Sequence, residues 1–228
     1  MIKSAVGQCP EIADDLVLLF NNLLTLKIKV PFEMTSARLI ALKRSQSKIR
    51  PIAIGESFSR MLASLVFNKI GKKAKEFFGP FQFGIKTIDG ASSVALSFDV
   101  FFNSIDSNYI FNLDFKNAFN SVSRSSIFPL LRKHFPEVEP FFYSFYGKSS
   151  TLVYENIDLL SFSGVKQGDP LGPFFFCLAI HPLMCELNEK FPEIDIVAYV
   201  DDISVIAPVT ILKQIATFIQ QRYEDIGL

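Results

Sequence analysis

The 228-residue chain has no tryptophan, only two histidines and three cysteines, and no formal net charge. Each shortage removes a class of explanation. Cys9, Cys177 and Cys185 have no metal-ligand spacing, which argues against a zinc knuckle or a disulfide scaffold. Cys177 and Cys185 fall in an apolar stretch, so buried free thiols in a reducing compartment are expected there. The longest apolar run, Phe174 to Met184, includes His181 and Pro182 and falls short of the roughly 20 residues that span a bilayer. No signal peptide is visible at the N-terminus, and no repeat or low-complexity segment follows. The expectation is an intracellular protein, nuclear or cytoplasmic, with no membrane partner.

What is present points to a packed fold. Hydrophobic residues make up 49% of the chain and charged residues 20%, a balance that folds rather than staying disordered. The length suits one large domain or two closely packed subdomains. The 25 phenylalanines read as packing and carry no functional signal by themselves. The neutral total conceals an uneven distribution. Residues 1–80 hold 13 Lys/Arg against 6 Asp/Glu, and residues 81–228 hold 10 against 17. A basic half facing an acidic half suits a protein that grips phosphates on one side and metal ions on the other. On charge alone, chance clustering of solvated charges is the simpler reading.

Hydrophobic periodicity and turn residues divide the chain into elements. An amphipathic helix is predicted from Pro10 through Leu26, with Ile12, Leu16, Leu19, Phe20 and Leu23 at helical spacing. Arg38–Lys43 and Ile49–Ile54 form a hairpin candidate around the turn-prone Ser45-Gln46-Ser47-Lys48. A helix from Ser57 to Phe78, with Ser57 as its N-cap, ends at Gly79-Pro80. Further helices are expected over Asp89–Phe102, from Ser123 or Ser125 to His134, near Phe141, from Leu171 to Lys190, and from Thr210 onward. Tyr109–Phe115 reads as a buried strand, two more strands surround Val153 and Leu159, and a hairpin covers Ile196–Pro208. Strands interleaved with long helices indicate an α+β fold, a sheet covered by helices on one face.

Two segments carry candidate chemistry. In Phe111-Asn112-Leu113-Asp114-Phe115-Lys116-Asn117-Ala118-Phe119 and in Ala198-Tyr199-Val200-Asp201-Asp202-Ile203, aspartates sit inside or at the end of apolar strands. Desolvating an unpaired carboxylate is costly, and a divalent cation would offset it. Mg²⁺ favours carboxylate and phosphate oxygens. Two such ions about 4 Å apart assist phosphoryl transfer to a hydroxyl. Asp-Asp is also a common turn pair, and a strand Asp can be satisfied by backbone N–H groups. Either segment alone leaves both readings open.

The motifs in chain order are more specific. Tyr199-Val200-Asp201-Asp202 resembles the Tyr-x-Asp-Asp signature of reverse transcriptases. Arg38-Leu39-Ile40-Ala41-Leu42-Lys43 with Ile49-Arg50-Pro51-Ile52 is similar to that family's fingers hairpin. Gln82-Phe83-Gly84 resembles its short segment before the palm, and Asp114–Val122 its first catalytic motif. Ser163-Gly164-Val165-Lys166-Gln167-Gly168-Asp169-Pro170-Leu171-Gly172-Pro173 resembles the loop and helix facing the templating base pair. The resemblance, strongest to the non-LTR retrotransposon type, spans residues 38–208. It implies a right-hand polymerase with an antiparallel palm sheet covered by helices, fingers mainly in residues 1–110 and palm mainly in 111–228. Fingers elements would be interleaved in the palm, and the chain would stop before the thumb.

The resemblance also implies roles. Asp114, Asp201 and Asp202, with the Phe115 carbonyl, would hold two Mg²⁺ ions, for which Mn²⁺ can substitute. Lys43 and Arg50 would reach the incoming dNTP, where fixed positive charge stabilises the transition state. Backbone N–H groups of Asn117 and Ala118 would add bonds to its phosphates. Phe119 falls at the sugar-discriminating position, and its ring would collide with a 2′-hydroxyl. Gln167 and Gly168 would lie against nucleotide and template, Gly168 allowing close backbone approach. Asp169 reads as a loop or cap residue, and His181 as a core residue. Two departures stand out: Asn117 replaces a second acid found in some members, and Lys166 stands where a neutral or polar residue is frequent. Lys166 is expected in a loop near phosphates. The implied partners are an RNA template and a DNA primer. No endonuclease, ribonuclease H or thumb segment is recognised, so a truncated copy is expected. Its alternative is a catalytically silent nucleic-acid-binding remnant. A nucleotide cyclase shares the acid-bearing strand and hairpin but not the fingers hairpin or the Gln167–Pro170 loop.

Overall fold

The computed structural model describes residues 10–43, 49–104 and 108–228. The expected turn at residues 45–48 and Cys9 lie outside the described residues. Helix α1 (Pro10–Leu24) and a single turn α2 (Phe32–Thr35) precede strands β1 (Ala37–Lys43) and β2 (Ile49–Gly55). Helices α3 (Ser57–Phe78) and α4 (Gly90–Ser104) lead to β3 (Asn108–Leu113). The short α5 (Ala118–Ser121), α6 (Arg124–His134) and α7 (Glu139–Tyr146) are followed by the hairpin β4 (Ser150–Tyr154) and β5 (Ile157–Ser161). Helix α8 (Gly172–Lys190), the hairpin β6 (Asp195–Tyr199) and β7 (Asp202–Pro208), α9 (Val209–Arg222) and a 3₁₀ turn at Tyr223–Ile226 complete the order.

The fold is α+β, as predicted, with two sheets. One has the order β3-β7-β6 and is antiparallel throughout. The other, β2-β1-β4-β5, is mixed, because β1 runs parallel to β4 through Ala37–Leu152 and Arg38–Val153. That pairing joins segments more than a hundred residues apart, and local pattern carries no trace of it.

Helix α8 is the centre of the core. Every residue from Phe174 to His181 is buried, so the helix is apolar all round, as a helix covered on all sides must be. Phe174 meets Phe78 at 5.8 Å and Phe135 at 4.9 Å between ring centroids, both near edge-to-face. Phe175 meets Phe142 at 4.7 Å. The phenylalanine-rich composition is thus spent on tying α3, α6 and α7 to α8. His181 lies in this core as expected, its ring 4.6 Å from that of Phe77.

Three local expectations are corrected. Strand β3 is not buried: it is the sheet edge, and Tyr109 is 54% exposed while Phe111 and Leu113 pack partly on the core. Cys185 is exposed, because it projects from the outer face of α8, its Sγ 3.4 Å from His181 Nε2. Ser57 is the first helical residue rather than the cap; Glu56 takes the cap position, and the Ser59 hydroxyl donates to its carbonyl at 2.8 Å. No described helix is long and apolar enough to cross a membrane.

Phe174 is fully buried and Phe162 is 70% exposed. Phe174→Ala should cost about 3–5 kcal/mol in denaturant unfolding. Phe162→Ala should stay within about 0.5 kcal/mol.

Candidate active site

Strands β6 and β7 pair from Asp195↔Ile206 to Tyr199↔Asp202, leaving Val200 and Asp201 as a two-residue turn. Val200 has φ of 58°. Positive φ at the first turn residue matches the twist of a hairpin, but the usual occupant is glycine. For a β-branched side chain it is strained, at a cost on the order of 1–3 kcal/mol. The turn is gripped from outside. The Val200 N–H donates to Gln82 Oε1 at 2.6 Å, and Gln82 Nε2 donates to the Val200 carbonyl at 3.1 Å. The backbone beside Gln82 pairs with β6: Phe83 N–H donates to the Ala198 carbonyl and Ala198 N–H to that of Phe81, both at 2.8 Å.

The aspartates converge through register. Strand β3 pairs with β7 up to Leu113↔Ile203, so Asp114 and Asp202 occupy the next opposed positions. Asp201 is half-buried, and that burial is the first cause raising its carboxyl above the usual range. Asp202 and Asp114 push it further up, while its own backbone and Arg50 pull it down. Asp114 and Asp202 are exposed, so the expected desolvation penalty applies only to Asp201. Among the described residues, no group of three or more His, Cys, Asp or Glu side chains is closed into a metal site. The backbone sets the three acids side by side without caging an ion. Their oxygen chemistry fits a hard divalent cation, and three neighbouring carboxylates are the charge such an ion would neutralise.

The hairpin residues separate. Lys43 pairs with Ile49 and Arg50 with Leu42, so the two cations stand on opposite faces of β1–β2. Arg50 is the one that acts on Asp201. In the Asp114–Val122 segment, Asn117 is left-handed at φ 55° and opens α5. The Ala118 N–H donates to the Phe115 carbonyl at 3.3 Å, so these two candidate ligand atoms engage each other; the carbonyl keeps a second lone pair. Phe119 is buried and stacked on Phe176, centroids 5.0 Å apart and 19° between planes. A ring that must resist a sugar is rigid in this way.

The Gly164–Gly172 loop differs most from expectation. Gly168 does allow close backbone approach, but the neighbour is β2: its N–H donates to the Ala53 carbonyl at 3.1 Å, and an added Cβ would meet that oxygen at 2.4 Å. Gln167 is half-buried beside it. Lys166 does not face solvent phosphates. It is 8% exposed, its ammonium donating to the Thr35 carbonyl at 2.5 Å. Asp169 is a loop and cap residue as expected, accepting from the Tyr146 hydroxyl at 2.5 Å and the Leu171 N–H at 2.9 Å. Arg124, which sequence reasoning passed over, is buried and donates to the carbonyls of Gly164 and Ser163 at 2.8 and 3.1 Å and to the Ser161 hydroxyl at 2.8 Å. No motif flagged it. A cleft of about 350 Å³ lies between this loop and the hairpin, lined by Leu39, Pro51, Ala53, Asn120, Leu152 and Val165 among others.

Comparison with known proteins fits this arrangement. The profile of the family described as "Reverse transcriptase (RNA-dependent DNA polymerase)" matches residues 41–228, and the chain belongs to that family. Its curated relatives are proteins of retrotransposable elements. The chain is 25% identical over 222 residues to the retrotransposable element SLACS 132 kDa protein of Trypanosoma brucei gambiense, covering 88% of the chain and 17% of that relative. It is 27% identical over 236 residues to a Pol polyprotein from the type-1 retrotransposable element R2 of Popillia japonica, covering 89% and 32%. The chain therefore spans less than a third of the length of these curated relatives. In fold it is similar to apo telomerase from Candida tropicalis truncated from its C-terminal domain, with a TM-score of 0.61 and 15% identity over 90% of this chain and 51% of that one. Telomerase from the same organism with a fragment of telomeric RNA gives a TM-score of 0.60 and 13% identity, over 92% and 42%.

Burial lowers the Lys166 ammonium to about 8, against the pull of Asp169 and with a further push from Arg124. Its ordinary value is 10.5, so unfolding takes up a proton between pH 8 and 10.5, and stability rises across that window. Lys166→Met should remove that rise. The two unfolding curves, measured by denaturant titration at each pH, should diverge by up to about 3 kcal/mol.

Proposed function

We propose that this chain is the catalytic core of an RNA-directed DNA polymerase, joining dNMP to a primer 3′-hydroxyl on an RNA template. Residues 1–110 supply mainly fingers and residues 111–228 mainly palm, with β4 and β5 as fingers elements interleaved in the palm segment. The convergence of Asp114, Asp201 and Asp202, with Arg50 acting on Asp201, supports it most.

Two Mg²⁺ ions, or Mn²⁺ in their place, would supply activation of the attacking hydroxyl and neutralisation of the leaving pyrophosphate. Asp114, Asp201 and Asp202 would hold them, with the Phe115 carbonyl as a further ligand. Arg50 binds the triphosphate and stabilises charge that grows in the transition state, and Lys43, on the other face of the hairpin, reaches the same phosphates around its end. The N–H groups of Asn117 and Ala118 orient the same phosphates once Ala118 releases Phe115. The Phe119 ring, locked by Phe176, excludes a 2′-hydroxyl, and Gln167 and Gly168 border the nucleotide and template beside the cleft under β1–β2.

Primer extension on an RNA template with dNTPs and Mg²⁺ or Mn²⁺ tests this function. Asp201→Asn should reduce extension by roughly a hundred- to a thousandfold, a loss of the size seen when a charge-stabilising group is removed. Unchanged extension by that variant overturns the assignment. Phe119→Ala should raise ribonucleotide incorporation relative to deoxynucleotide by roughly tenfold or more.

A further inference from the structure

The turn that carries Asp201 is held in a conformation its own sequence disfavours. Val200 stands at φ 58° with a β-branched side chain, and its hairpin contains no glycine to relieve it. Both backbone polar groups of Val200 end on one side chain. Gln82 Oε1 accepts the Val200 N–H at 2.6 Å, and Gln82 Nε2 donates to its carbonyl at 3.1 Å. The same Oε1 accepts the Gly84 N–H at 2.9 Å, which fixes the carboxamide's orientation. Gln82 is 4% exposed, so water does not compete for these bonds. Gly84 packs so closely that a Cβ there would meet Val200 Cγ2 at 2.5 Å and Val200 N at 2.8 Å. From the other side, the Cys177 thiol of α8 lies 4.0 Å from the Val200 carbonyl.

We infer that Gln82 is a positioning residue for the catalytic hairpin: its carboxamide holds Val200 left-handed and so fixes the directions in which Asp201 and Asp202 leave the turn. This rests on the proposed role of those aspartates as metal ligands. Gln82 touches neither substrate nor metal; it acts through the backbone, as outer partners of metal ligands do. Leucine at position 82 keeps the bulk and loses both bonds. Glycine at position 200 accepts positive φ without a clamp.

The test uses the 228-residue protein, Mn²⁺ alone as the probe, and amide hydrogen exchange. In Gln82→Leu, exchange at the Val200 amide should rise roughly tenfold or more, while the Ile206 amide in β7 stays protected. Mn²⁺ affinity, measured by titration calorimetry, should fall about tenfold in the same variant. Adding Val200→Gly to Gln82→Leu should restore that affinity to near the parental value, which a general packing role for Gln82 would not allow. Unchanged Val200 exchange overturns the inference; so, where the parent binds Mn²⁺ better than Asp201→Asn does, does unchanged Mn²⁺ affinity or no restoration by glycine. If Gln82→Leu alone does not fold, folding and Mn²⁺ binding by the double variant support it, and an unfolded double variant overturns it. If the parent binds Mn²⁺ no better than Asp201→Asn, the metal reading itself fails. The exchange comparison then decides the clamp on its own.

Discussion

The burial of helix α8 is the constraint on which the other parts depend. Its apolar stretch from Phe174 to Ile180 has no solvent face, so the structure must surround it. The three-stranded sheet, α3, α6, α9 and, through the Phe142 and Tyr146 rings on Phe175, α7 are the surrounding layers. Three features of the candidate site take their positions from this helix. Phe176 stacks on Phe119, Cys177 approaches the Val200 turn, and the Asp169 carboxylate caps the Leu171 N–H where the helix begins. Loosening that packing would shift the aspartate turn and the Phe119 ring together, because interiors at this density transmit strain instead of absorbing it.

Around this apolar centre, three buried polar side chains hold the irregular segments that the core cannot. Arg124 gathers the carbonyls of Ser163 and Gly164, Lys166 ties the following loop to Thr35, and Gln82 grips the Val200 turn. Loop backbone has no ladder to satisfy it, so its polar groups must find side chains when water is excluded. Each of the three is a long side chain whose polar end crosses a gap between segments distant in sequence. Burial lowers the Lys166 ammonium to about 8. The division is plain: apolar packing sets where the helices and sheets go, and directed polar bonds set how the loops present their chemistry.

Much of the fold was legible because helices and strands leave periodic traces. The helix ending at Phe78, the strands around Val153 and Leu159, and the hairpin from β6 to β7 lie where spacing and turn residues placed them. Short elements were not legible. The single turns α2 and α5 contain too few residues for a period to emerge. Exposure was misjudged where a run is apolar yet only one side is covered: β3 has the composition of a buried strand but lies at the sheet edge. Cys185 was misjudged for the same reason, since an apolar neighbourhood in sequence does not say which way a helical residue points. Lys166 was misjudged in the opposite sense. A lysine in a loop is normally solvated, and only the convergence of Thr35, Tyr146 and Asp169 makes a buried one tolerable.

By itself the sequence determined the family and the order of its motifs and singled out three aspartates as candidates, because motif recognition needs only residue types at fixed places along the chain. Tertiary structure alone decided what those residues can reach. The β3–β7 register puts Asp114 opposite Asp202, the β1–β2 register sends Lys43 and Arg50 to opposite faces, and a parallel contact joins β1 to β4. Gln82 could be noticed as part of a motif, but its hold on Val200 spans 118 positions. Hydrogen bonds and electrostatic fields depend on distance in space, and folding is what turns the one into the other.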